Sequence, residues 1–111
     1  MSPQPGTQPS RAQQAFGTEA PKLAELTDHV LFGDIWQRSA LPPRDRSLIT
    51  VAALVALGWT EQLPFHLGFA LENGVSREEL AELITHLAFY AGWPAAAAGV
   101  ARLQALSTEE A

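Results

Sequence analysis

His66 closes the run T-E-Q-L-P-F-H, a few residues after Glu61 and Gln62. An imidazole titrates near neutrality and can take or return a proton, and a carboxylate one helical turn away can orient it. Arg46, the second arginine of R-D-R-S, carries a planar fork of donors suited to a carboxylate or a developing oxyanion. His86 and Tyr90, at i,i+4 spacing, add a second imidazole and a phenol, and Gln62 adds an amide. These residue types suit proton transfer and stabilisation of negative oxygen. Trp36, Trp59 and Trp93, with Phe65 and Phe69, can wall a small-molecule pocket.

Each residue also has a plainer role. His66 can be a half-buried histidine bonded to a neighbouring carbonyl. Glu61, read as lying at the start of a helix, is stabilised there by the macrodipole whatever else it does. Arg46 can pair with Asp45, Asp34, Glu61 or another subunit. His86 suits a surface or interface, since Glu82 is the only carboxylate a turn away. The tryptophans suit core or interface equally well. A metal centre built on His66 and His86 lacks the H-x-x-x-H or H-x-x-E-H spacing, so neither metal nor cofactor is expected.

Composition narrows the classes. The chain has 111 residues, no cysteine and a net charge of −5. Without cysteine, disulfides, thiolate metal sites and thiol nucleophiles are excluded. The seven Lys and Arg are scattered, which leaves no footprint for nucleic acid or an anionic membrane. No apolar stretch approaches the roughly 20 residues of a membrane span, and no basic-then-apolar leader opens the sequence, so a cytoplasmic location is expected. A short chain with 47% hydrophobic and 17% charged residues has more apolar surface than it can easily bury alone. A homo-oligomer is expected, with a small molecule as the other partner.

The elements that must position these residues read as helices throughout. Residues 1–20, rich in Pro, Gly and Gln, read as a flexible tail, and 21–111 as one helical domain. Leu23, Leu26, Val30 and Leu31 recur at three- and four-residue steps, which reads as a helix from Pro21 to a stop at Gly33, after which Asp34 can cap a short helix holding Ile35 and Trp36. Leu41-Pro42-Pro43 breaks the chain. The segment 44–57, RDRSLITVAALVAL, reads as a central helix buried on nearly all sides. Gly58 ends it, Thr60 can cap the next helix, and Leu63, Leu67, Ala70 and Leu71 face inward up to Asn73-Gly74. Ser76 with Glu79 forms a capping box opening a helix with Leu80, Leu83, Ile84 and Leu87 inward. Gly92 stops it, and an Ala-rich helix starts at Pro94. The fold expected is all-α, about six helices, with no strand.

In order and spacing, R-x-R-S-L before the apolar helix, E-x-x-x-x-H, N-G-V-S-R-E-E and F-Y-A-G-x-P resemble the carboxymuconolactone decarboxylase family. LFGDIWQRSALPPRDRS is similar to the entry of its γ-carboxymuconolactone decarboxylase branch, and the resemblance runs from about Leu23 to Leu106. It implies an all-α subunit assembling into a ring-like trimer or hexamer. In the family's alkyl hydroperoxidase D branch a glutamate, a C-x-x-C pair and a histidine form the redox centre. By that correspondence the cysteine positions hold Trp59 and Gln62, the glutamate falls near Ser47, and His66 alone is retained. Thiol peroxidase chemistry has no thiolate to run on. The resemblance implies instead a cofactor-independent decarboxylase acting on a carboxylated or lactone-like molecule. His66 would be its acid/base, Glu61 its orienting partner, and Arg46 or His86 the group on anionic oxygen, with Trp36, Trp59, Gln62 and Tyr90 contacting substrate. Another lyase, an isomerase, a cyclase or a non-catalytic binding oligomer would use the same pocket.

Overall fold

The computed structural model describes residues 9–110, all in helices, turns or connecting loops. The all-α expectation holds, with six α-helices, one π turn and one 3-10 turn among the described residues. No helix among them is long and apolar enough to cross a membrane. The chain divides into two compact units, Met1–Ala40 and Leu41–Ala111.

In the first unit, α1 (Arg11–Phe16) forms within the stretch read as a tail, of which residues 1–8 lie outside the described residues. Its start is fixed locally: Ser10 Oγ accepts the Gln13 N–H at 3.0 Å, and the same hydroxyl donates to Asp28 at 2.7 Å. α2 (Pro21–Leu26) begins at a proline and packs beside α1, where the small residues Ala12 and Ala24 are buried. It widens into a π turn, Thr27–Leu31, and a 3-10 turn follows at Ile35–Gln37. One expectation is corrected here. Asp34 precedes the 3-10 turn, yet its side chain caps nothing. Leu23, Leu26, Val30 and Leu31 do fall in helical turns, and all four are exposed. Trp36 is buried and stacks on Phe32 at 5.8 Å.

The second unit is a cluster of four helices: α3 (Pro43–Leu57), α4 (Leu63–Glu72), α5 (Arg77–Ala91) and α6 (Trp93–Glu110). Val51, Leu54 and Val55 of α3 meet Leu63, Leu67 and Ala70 of α4, Leu80, Ile84 and Ala88 of α5, and Ala96, Leu103 and Leu106 of α6. α3 is not buried all round, since Ile49 and Leu57 are each more than half exposed. Its apolar run is longer than the one face that its neighbours cover, and the buried positions follow helical spacing, Ser47, Val51, Leu54, Val55. Inward stripes on α4 and α5 match expectation, with Leu71, Leu83 and Leu87 partly rather than fully buried. The Ser76–Glu79 capping box is formed in both directions. At Gly99 of α6 an added methyl group would meet the side chains of Val55 and Ile84 at 3.4 to 3.5 Å.

Candidate active site

Gly58 ends α3 in the left-handed conformation (φ 74°), a region that costs a side-chain-bearing residue energy. The chain then turns through residues 59–62 before α4 starts. Thr60 does not cap that helix, contrary to expectation. Arg102, reaching from α6, occupies it: Nη1 donates to the Thr60 carbonyl at 2.9 Å and Nη2 to its hydroxyl at 3.3 Å. With the hydroxyl engaged there, α4 begins at Leu63, preceded by Gln62 with no side-chain cap, and Pro64 sits in its first turn.

This late start moves Glu61. It lies two residues ahead of α4 rather than inside it, fully on the surface, and its carboxylate makes no hydrogen bond or ion pair among the described residues. Gly58, Trp59, Thr60, Glu61 and Gln62 line a recess of about 310 Å³. His66 follows one turn on, its backbone N–H reaching the Gln62 carbonyl at 3.4 Å. Its half-buried ring stands edge-on to Phe65 at 4.9 Å and lies 6.3 Å from Phe69, and those two rings stack at 5.4 Å. The Nδ1 atom is buried and makes no hydrogen bond among the described residues, so the bond to a neighbouring carbonyl considered above is not made at that atom.

Arg46 is half-buried in the first turn of α3, its Nε donating to the Leu41 carbonyl at 3.0 Å while its own carbonyl receives the Thr50 hydroxyl at 2.8 Å. Asp45 lies 3.8 Å from Arg44, which also pairs with Glu79. Ser47 is 1% exposed and accepts the Asn73 side-chain amide at 2.9 Å.

His86 belongs to a different place. It stacks on Tyr90 at 4.9 Å and, with Arg44, Leu48, Glu79 and Glu82, borders a shallow groove of about 520 Å³ between α3 and α5. Thus Trp59, Glu61 and Gln62 gather at one recess beside the start of α4, while His86 and Tyr90 pair on α5. Trp36 sits in the other unit.

The sequence profile of the carboxymuconolactone decarboxylase family matches residues 21–105. The chain belongs to that family. Among curated proteins it is 46% identical over 69 residues to 4-carboxymuconolactone decarboxylase of Acinetobacter baylyi, a match covering 62% of this chain and 52% of that protein. It is 34% identical over 70 residues to nitrosuccinic acid decarboxylase npaB of Metarhizium robertsii, covering 63% and 49%. The chain spans about half the length of these relatives. This carboxymuconolactone decarboxylase family member has no cysteine, and the turn ahead of α4 carries an exposed Trp59 and Gln62.

Arg102 was not legible as a site residue, since 42 positions separate it from Thr60. The one signal in the sequence was its being the sole charged residue in the stretch from Trp93 to Leu106.

Proposed function

We propose that the chain is a cofactor-independent decarboxylase of small carboxylated or lactone-like acids, with His66 as general acid/base. The observation that carries this reading is the position of His66. It comes one turn after Gln62, which lines the recess with Trp59 and Glu61, and its half-buried ring lies beside Phe65 and Phe69. The names of both relatives support loss of CO2 as the common step.

The chemistry is short. The bond between the carboxylate carbon and its neighbour breaks, CO2 leaves, and the electron pair passes into a conjugated carbonyl to give an enolate. A donor facing that oxygen lowers the barrier, and a proton must return to carbon. In this proposal His66 returns the proton, and Arg46 receives the anionic oxygen. Glu61, with no bond of its own among the described residues, orients the imidazole once substrate closes the recess. Trp59, Gln62 and Phe69 contact the substrate.

We further infer a homo-oligomer, a trimer or hexamer in keeping with the resemblance, located in the cytoplasm. The exposure of Phe89, Tyr90 and Trp93, at 73%, 78% and 64%, supports assembly.

The test is turnover of 4-carboxymuconolactone by metal-stripped protein, wild type beside His66→Ala, both held to the same mass by light scattering. A loss of about a hundredfold or more in the variant is expected, the low end for removing a general acid or base. Absence of turnover by the wild type removes that acid as substrate, and equal turnover by the variant removes His66 as the acid/base.

A further inference from the structure

We propose that Arg102 is a positioning residue that sets the conformation of the turn 58–62, and through it the placement of Glu61 and Gln62 ahead of His66. Two bonds from one guanidinium to one residue fix both translation and rotation of that residue. Nη1 takes the Thr60 carbonyl at 2.9 Å and Nη2 the Thr60 hydroxyl at 3.3 Å. A planar fork does this where a single point donor cannot. The Thr60 carbonyl also accepts the Leu63 N–H at 3.3 Å, so Arg102 and the first residue of α4 converge on the same oxygen.

The rest of the turn has little else to hold it. Glu61 and Gln62 are exposed, Trp59 is 56% exposed, and α4 lacks a side-chain cap. At its other end the turn is tied by backbone bonds alone, Gly58 N–H to Val55 and Trp59 N–H to Leu54. Arg102 itself is half-buried, and both of these bonds direct its guanidinium at the turn. A half-buried cation spent on one backbone carbonyl and one hydroxyl is an expensive way to hold a loop that has no task. This turn carries two of the residues through which the proposed decarboxylation would run, and the activity half of the test rests on that reading; the conformational half does not.

The experiment is fluorine NMR of protein labelled with 5-fluorotryptophan, whose Trp59 line is assigned with Trp59→Phe, together with steady-state kinetics in unlabelled protein. Arg102→Met keeps much of the aliphatic stem and removes the fork, Arg102→Lys restores one donor, and Thr60→Val removes only the hydroxyl. In Arg102→Met the Trp59 line is expected to shift or broaden while the Trp36 and Trp93 lines hold, with partial recovery in Arg102→Lys and a smaller change in Thr60→Val. On the acid that the wild type decarboxylates, kcat is expected to fall about tenfold or more with a smaller change in KM, as for misplaced catalytic groups. An unmoved Trp59 line in a folded Arg102→Met overturns the proposal. Should that variant fail to fold, an unmoved line in Thr60→Val and Arg102→Lys overturns it equally. The spectrum needs no substrate, so the failure of the decarboxylase reading and the failure of this one are separate results.

Discussion

Asn73 donates its side-chain amide to Ser47 at 2.9 Å, tying the end of α4 to the first turns of α3. Ser47 is the one buried polar residue among those described, at 1% exposure, so this bond joins two of the four helices from inside. Ser47→Ala deletes the acceptor and leaves the Asn73 amide to find water. A loss of about 1 kcal/mol is expected, the low end for leaving a part-buried donor without its partner. Urea denaturation that shows an unchanged midpoint would mean that water replaces the hydroxyl at no cost.

Two glycines should respond in opposite directions to the same methyl group. Gly58 holds φ at 74°, and Gly58→Ala is expected to cost about 1 kcal/mol even though nothing crowds a Cβ there. Gly99 lies inside α6, where an added methyl meets Val55 and Ile84 at ordinary contact distance. Gly99→Ala should therefore be neutral or raise stability by up to about 1 kcal/mol, because glycine is a poor helix former. Thermal melts of the two variants beside wild type test the sign of each.

Helix order, the capping box and the inward faces of α4 and α5 were legible because they follow from local spacing. Leu63, Leu67 and Ala70 repeat at helical steps, and Ser76 and Glu79 bond within one turn. What sequence could not supply were the competitors for a group's bonding capacity. Thr60 looks like a cap until Arg102, far along the chain, takes its hydroxyl. Asp34 looks like one too, but leaves its turn uncapped. The apolar run of α3 announces burial without saying how many faces its neighbours cover, which is why the exposure of Ile49 and Leu57 was hidden. Within the candidate site, His66 stood out by residue type and by the family motif. The exposure of Glu61 was hidden because it depends on where α4 starts.

Acid should weaken the start of α5. The Glu79 carboxylate accepts the Ser76 backbone N–H, and that bond, helped by Arg44 alongside, holds its pKa below the ordinary glutamate value against a smaller effect of desolvation. A carboxylate lowered in the folded state contributes stability that is fully present above its unfolded pKa and lost as pH falls through the folded one. Glu79→Gln keeps a neutral cap but not this pH dependence. The stability difference between wild type and Glu79→Gln should be constant near neutrality and shrink once pH drops below the ordinary glutamate range. A difference that grows on acidification would reverse the assignment.

Phe89 and Trp93 meet edge to face at 5.3 Å, yet both rings, with Tyr90, stand in solvent in the single chain. A cluster of three exposed aromatics where α5 passes into α6 is costly to leave wet, since each ring can bury roughly 150–250 Å². If a second copy covers it, Phe89→Asp places a charge in an apolar contact, where desolvation opposes assembly. The expected result is a fall in mass by light scattering at micromolar concentration with helix content kept. Ala81→Asp, on an exposed position of the same helix away from the rings, should keep the wild-type mass. An assembly indifferent to Phe89→Asp would move the interface elsewhere, and the exposed stripe of Leu23, Leu26 and Val30 would be the next surface to charge.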